Sequence, residues 1–344
     1  MNYYVEVRGN KENTADVKAP ADMCRIMCRR GYRVIRFRPI TGKPRPIFRL
    51  TQFVNWTRVF FAVGKNDLLV YQYPLDLSKL SILLLKALMR MKRTTIVLLI
   101  HDIDSIRGYY TSEENARKEE LLKEADFLIC HNVRMKAWLV NAGVPEDRIV
   151  PMGAFDYLVD GEFKEPEDPN TVIIAGNLGL EKSPYLSAFL KMEKDYQVNL
   201  YGPYFVPDKD YDHVLYFGSF PPEELIDRLE GGFGLVWDGD SVDACSGLRG
   251  EYLKYNNPHK VFSYLASGIP VIIWDQAALA DYICDNSLGI TVSSLREISP
   301  KLKEISPEEY LAMCRNTVAE GKKLRSGYYL SRALDEIEEK RKNG

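Results

Sequence analysis

The chain has 344 residues, 46% of them hydrophobic and 27% charged, with a formal net charge of −2. Such values belong to an ordinary globular protein and exclude a disordered or fibrous one. The near-neutral balance excludes a molecule drawn as a whole to nucleic acid or anionic lipid. A chain of this length is expected to form two domains.

The opening MNYYVEVRGN lacks the basic start and apolar run of a signal peptide. The longest apolar stretches, 80–88 and 96–100, fall well short of the roughly 20 residues a membrane helix needs. Six cysteines (Cys24, Cys28, Cys130, Cys245, Cys284 and Cys314) form no CxxC pair and no zinc spacing. The expectation is a cytoplasmic protein without disulfides. Cys24 and Cys28, four apart on a predicted helix, are expected to share its buried face.

Strand-like runs at 3–7, 32–37, 67–71, 95–100, 127–130 and 148–150 alternate with helical patterns at 21–30, 48–61, 77–91, 112–124 and 133–142. This alternation predicts βαβ units and a parallel sheet. TIVLLI at 95–100 is apolar throughout, as a central strand covered on both faces should be. The acidic, proline-bearing DGEFKEPEDPN at 160–170 reads as a linker. A second series follows, with strands at 172–175, 198–201, 214–217, 233–237, 271–274 and 289–292. Its helices are expected to start at Ser183, Pro222, Pro258, Ala277, Pro300 and Pro307. The predicted fold is therefore α/β, with two Rossmann-like, doubly wound domains facing a central cleft. The predicted spans are 1–158, a linker at 159–170, and 171–325. An amphipathic C-terminal helix within 326–344 is expected to cross back to the first domain, by analogy with two-domain enzymes of this shape.

Ligands of open parallel sheets bind at the carboxyl ends of the strands. The loop after the first strand holds a lone Gly9, and no GxGxxG occurs in the chain, which weighs against an NAD-dependent dehydrogenase or epimerase. After 95–100 come His101 and Asp102, either of which could serve as general base; the competing roles are a helix cap for Asp102 and an interior place for His101. After 172–175 come Gly176 and Asn177, and then Lys182 just ahead of a helix, a combination suited to a diphosphate. Tyr201 ends a strand and either stacks on a base or packs in the core. Asp238 follows the next buried strand. Asn256, Asn257, His259 and Lys260 bracket a helix start near Pro258, a gathering of polar groups that points to an anionic ligand. Of the two DxD triplets, 102–104 and 238–240, neither is read as a metal site. The second lies in the second domain, and lysines at helix starts can supply the charge a metal would supply.

The run DGDSVDACSGLRGEYLKYNNPHKVFSYLASGIPVIIWDQAALADYI closely resembles bacterial galactofuranosyltransferases of surface-polysaccharide gene clusters. More distantly it is similar to the glucosyltransferases that extend GlcNAc on serine-rich adhesins. IVLLIHDID, LLKEADFLICHNVRMKAWLVNAGV and GGFGLVWD look like the matching segments of the same enzymes. The resemblance implies a GT-B fold, a UDP-sugar co-substrate with no metal or other cofactor, and a homo-oligomer. It places Lys260 on the donor phosphate, Lys182 likewise if the loop aligns, and Tyr201 as a stacking residue.

The function expected is transfer of a hexosyl unit, galactofuranose by the first reading, from a UDP-sugar to a hydroxyl of a growing surface glycan. A UDP-glucose-dependent glucosyltransferase and a non-catalytic UDP-sugar-binding partner subunit stay open. The acceptor is expected to meet first-domain loops 39–46 and 103–112, with Arg107, Tyr109 and Tyr110 as candidates. Peripheral membrane association also stays open.

Overall fold

The computed structural model describes the chain apart from residues 8–14, 38–43, 76, 109, 110, 166, 207–210 and 344. The Gly9 loop, most of the 39–46 loop, Tyr109 and Tyr110 lie outside the described residues.

The chain divides into two compact units, Met1–Gly153 with Tyr328–Gly344, and Ala154–Gly327. In the first, the strands are β1 (Asn2–Glu6), β2 (Arg33–Arg36), β3 (Leu68–Tyr73), β4 (Thr95–Ile100), β5 (Phe127–Cys130) and β6 (Ile149–Pro151). They form one sheet in the order β2-β1-β3-β4-β5-β6, with every neighbouring pair parallel. The helices α1 (Ala15–Arg29), α2 (Arg45–Ala62), α3 (Lys79–Lys92), α4 (Ser112–Glu124) and α5 (Val133–Asn141) connect them. β4 is buried at five of its six positions, which is what a continuously apolar central strand requires. α3 and α4 begin at capping boxes built by Ser78 with Ser81 and by Thr111 with Glu114. Cys24 is buried but Cys28 is exposed, so the two do not share a buried face as expected. A four-residue step turns a helix through about 400°, which moves the second cysteine toward the rim of the buried stripe.

In the second unit, the strands are β7 (Thr171–Ala175), β8 (Gln197–Tyr201), β9 (Val214–Tyr216), β10 (Phe233–Val236), β11 (Val271–Trp274) and β12 (Gly289–Val292). The sheet is parallel in the order β12-β11-β10-β7-β8-β9. The helices are α6 (Tyr185–Lys191), α7 (Pro222–Arg228), α8 (Gly247–Tyr252), α9 (His259–Ser267), α10 (Ala280–Asp285), α11 (Ile298–Glu304) and α12 (Pro307–Ser326). The division falls at Gly153, ahead of the acidic stretch. The apolar AFDYL run before that stretch already belongs to the second unit. Phe155 meets Phe262 edge-on at 6.0 Å, and the Tyr157 amide donates to the Leu324 carbonyl at 3.1 Å.

α12 ends at Gly327, whose φ of 83° is the left-handed cap that glycine adopts without strain. The last helix, α13 (Tyr328–Asn343), then packs in the first unit. Its buried face is Tyr329, Leu330, Ala333, Leu334 and Ile337. Tyr32 donates to Glu338 at 3.0 Å, and Lys340 donates to the Asp147 carbonyl at 2.9 Å.

Candidate active site

In each sheet the first strand of the series is flanked by strands reached in opposite directions. In the second unit this switch point lies between β7 and β10, paired as Phe233↔Val172 and Gly234↔Ile173. The crevice beyond the carboxyl ends of two such strands is where a doubly wound sheet receives its ligand.

Gly176 leaves β7 at φ 136° and Gly202 leaves β8 at φ 145°. The two backbones touch so closely that a Cβ on Gly202 would lie 1.7 Å from the Gly176 carbonyl oxygen. No side chain fits between these strand ends, and the Gly176 amide donates to the Tyr201 carbonyl at 2.9 Å, which holds the two turns together. Asn177 is partly spent on its own loop, since its Oδ1 accepts from the Gly179 amide at 3.0 Å. Lys182 is exposed in that loop. The loop is tied to the end of β10, because the Tyr185 amide donates to the Gly239 carbonyl at 3.3 Å. Arg249 of α8 also donates to the Glu181 carbonyl.

At the end of β10 stands Asp238. Lys260, in the first turn of α9, donates to Asp238 Oδ1 at 3.1 Å and to the Trp237 carbonyl at 3.2 Å. Both side chains are about three-quarters buried. α9 begins after Pro258 with no side chain capping its leading amides, and those amides carry the positive end of the helix dipole. The Asn256 Oδ1 is buried and has no hydrogen-bond partner among the described residues. A buried acceptor left open beside an uncapped helix start is the mark of a polar ligand. Asn257 is buried, and the His259 ring stacks on Phe155 at 5.1 Å. The structure thus joins Lys260 to Asp238 at the end of β10 and ties the segment after Gly176 and Asn177 to the same strand end, with Asn256, Asn257 and His259 at the start of α9.

Tyr201 takes the second of its two alternatives, packing in the core, and not the stacking role that the resemblance implies. It is wholly buried, its ring lies flat on Phe217 at 4.8 Å, and its hydroxyl accepts from the Glu230 amide at 3.1 Å. Phe217 and the Glu230 amide thus hold the ring in the interior.

In the first unit, His101 and Asp102 follow β4. The His101 amide donates to the Tyr73 carbonyl at 2.8 Å. Burial pulls the imidazole down from its usual range to about 4, so the ring is neutral at pH 7. Asp102 is about one-third exposed and is paired with Arg107 at 2.5 Å. Asp104 is spent elsewhere, in a buried pair with Lys118 of α4 at 2.6 Å. Asp240 accepts from Ser246. Among the described residues no three His, Cys, Asp or Glu side chains converge as metal ligands. His131, at the end of β5, escaped the sequence reading. Its Nε2 lies 3.1 Å from the Ile100 carbonyl, at the strand end that carries His101. The signal was present in LICHN, a polar pair directly after a buried strand.

The glucosyltransferase 3-like N-terminal domain matches residues 1–154, and the glucosyltransferase 3-like C-terminal domain matches 172–337. The β-1,6-galactofuranosyltransferase WbbI of Escherichia coli K12 is 35% identical over 294 residues, 84% of each chain. Glucosyltransferase 3 of Streptococcus gordonii is 27% identical over 292 residues, 80% of each chain. Among solved structures, Anabaena HepE in complex with UDP and glucose has a TM-score of 0.61 at 12% identity, covering all of both chains. Sucrose-phosphate synthase from Thermosynechococcus elongatus has a TM-score of 0.64 at 15% identity, over 99% of this chain and 98% of that one. These two share the fold. No helix among the described residues is long and apolar enough to cross a membrane. With both halves matched and a curated relative aligned along most of its length, the chain belongs to the glucosyltransferase 3-like family of GT-B glycosyltransferases.

Proposed function

We propose that the chain transfers a hexosyl unit, galactofuranose in the first instance, from a UDP-sugar to a sugar hydroxyl of a growing surface glycan in the cytosol. The observation that carries the donor site is Lys260, a cation at the uncapped start of α9, joined to the carboxylate at the end of the switch-point strand. A diphosphate placed there meets an ammonium group, a helix dipole and the glycine-lined backbone at Gly176 together. The choice of galactofuranose leans on the named activity of the 35% identical relative. UDP-glucose is the second reading, favoured by the streptococcal glucosyltransferases at 27% identity.

Asp102 is the proposed general base, partly exposed and oriented by Arg107. His101 suits that task less well, because a buried imidazole pulled down to about 4 takes up a proton poorly. The reaction is proposed to need no metal, since Asp104 and Asp240, the second members of both triplets, are engaged by Lys118 and Ser246. A homo-oligomer is part of the same proposal, on family resemblance.

The test is UDP release with UDP-galactofuranose, UDP-galactose and UDP-glucose, each with glycoside acceptors and in excess chelator. Turnover should be fastest with UDP-galactofuranose and should survive the chelator. Preference for UDP-glucose establishes the second reading. UDP binding without turnover on any donor establishes a non-catalytic partner subunit. Loss of activity that manganese or magnesium restores overturns the metal-free mechanism.

A further inference from the structure

The net charge of −2 conceals a strong segregation. Residues 23–66 hold eleven Lys and Arg and no Asp or Glu. α3 adds Lys79, Lys86, Arg90 and Lys92, again without an acid. The remainder of the chain is correspondingly acidic.

Within this basic region α2 has two unlike faces. Gln52, Asn55, Trp56 and Val59 are buried, with Trp56 Nε1 donating to Ser81 of α3 at 2.9 Å. The opposite side carries Ile47, Leu50, Phe53 and Phe61, each more than half exposed. At about 100° per residue, these four fall within an arc of roughly 120°. Arg49 and Arg58 stand on either side of that arc. On the neighbouring α3, Leu83 and Met91 are likewise more than half exposed, and Lys79 and Arg90 are exposed as well.

Some basic groups here have structural duties. Lys86 pairs with Glu120 and Glu124, and Lys92 donates to the Val63 carbonyl. Arg49, Arg58, Lys79 and Arg90 make no ion pair among the described residues; Arg58 only donates to the Arg36 carbonyl, at 3.1 Å. Large apolar side chains exposed in a row are unusual on a soluble surface and mark a contact face.

The charge decides what that face meets. A two-fold contact between copies sets a patch against itself, which here would bring arginine against arginine and lysine against lysine. An anionic partner neutralises them instead. A helix with bulky apolar residues on one face and Arg or Lys at its flanks is the pattern that lies in a bilayer interface, with the rings among the acyl chains and the cations on the headgroups. The acidic remainder of the chain would be repelled by the same surface, which orients the molecule. We propose that the exposed face of α2 and α3 docks on anionic lipid bilayers. This inference stands apart from the donor reading.

The test is co-sedimentation of the full, nuclease-treated chain with vesicles of phosphatidylcholine alone or mixed with phosphatidylglycerol. Binding should appear with the mixed vesicles, stay near background with phosphatidylcholine, and fall in high salt. Leu50→Asp/Phe53→Asp and Arg49→Glu/Arg58→Glu should each lower the partition by about tenfold or more. These positions are exposed, so melting temperature and UDP affinity should match the parent. Leu180→Asp, also exposed but in the second unit, should bind vesicles as the parent does. Equal partition onto both vesicle types, or parent-like binding by both double variants, overturns the proposal. So does a shift of Leu50→Asp/Phe53→Asp to a smaller oligomer without change in vesicle binding, which would assign the face to a second copy.

Discussion

Lys260 and Asp238 form a pair whose parts have opposite effects on an anion. The ammonium attracts a diphosphate, and the carboxylate holds the ammonium in place. A charge-assisted hydrogen bond contributes roughly 1.5–3 kcal/mol. Lys260→Ala should therefore weaken UDP binding about tenfold to a hundredfold, measured by calorimetry. The variant also leaves Asp238 facing the phosphate alone, so Lys260→Ala/Asp238→Asn should recover part of that loss. In the first unit Asp102→Asn should leave UDP affinity intact while turnover drops about a hundredfold or more. A melting temperature beside it detects any loss from breaking the Arg107 pair. His101 gives a pH prediction. Its folded value of about 4 lies below its usual one, so above pH 6.5 folding costs it nothing in protons. As pH falls from 6.5 toward 4, the unfolded chain takes up a proton that the folded chain refuses, and stability declines. The part due to His101 amounts to at most about 2 kcal/mol between pH 6.5 and 5. His101→Asn should flatten the pH slope of the melting temperature over that window. An unchanged slope would show that the ring is not held neutral.

At the scale of elements, the βα alternation was legible because buried parallel strands must be apolar throughout and their helices must be capped. The helix at 112–124 and the strand at 95–100 emerge with the predicted limits. α8 was not foreseen, since GLRGEY holds two glycines and no apolar period. The Lys260 helix start was legible from Pro258 and its polar neighbours. Which of its two alternatives Tyr201 takes was not, because its burial depends on Phe217 arriving from the next strand end, a contact of tertiary origin. Gly234 is another such case. It sits mid-strand in β10, where the ring of Tyr264 lies flat against the backbone. A Cβ there would come 2.3 Å from the ring. The Tyr264 hydroxyl in turn accepts from the Ala175 amide at 2.8 Å. The glycine thus lets α9 lie close enough to the sheet for one tyrosine to tie it to the end of β7. Gly234→Ala should force the ring and the helix outward. Overpacking of this kind costs about 1–3 kcal/mol, and because α9 carries Lys260, UDP affinity should fall with stability. A variant with parent-like melting temperature and affinity would show that the helix has room to spare.

At the scale of the whole molecule, the chain builds most of one unit, then all of the second, and then returns to the first through α13. Two lengths of sequence that lie far apart share one core, with Tyr329, Leu330, Leu334 and Ile337 supplying its closing face. Truncation after Gly327 should therefore lower protection from hydrogen exchange in β1, β6 and α1 more than in β7–β12. Equal protection in both units would show that α13 is an accessory.

During synthesis, this connectivity inverts the usual order in which domains mature. The segment that leaves the ribosome first cannot close until α13 has been made, and until then it presents an apolar seam beside β6 and α1. A chain stopped anywhere before Tyr328 keeps that seam open, and proteases or chaperones that read exposed apolar surface can distinguish it from finished protein. The return crossing at Gly327 thus acts as a record that translation ran through α13.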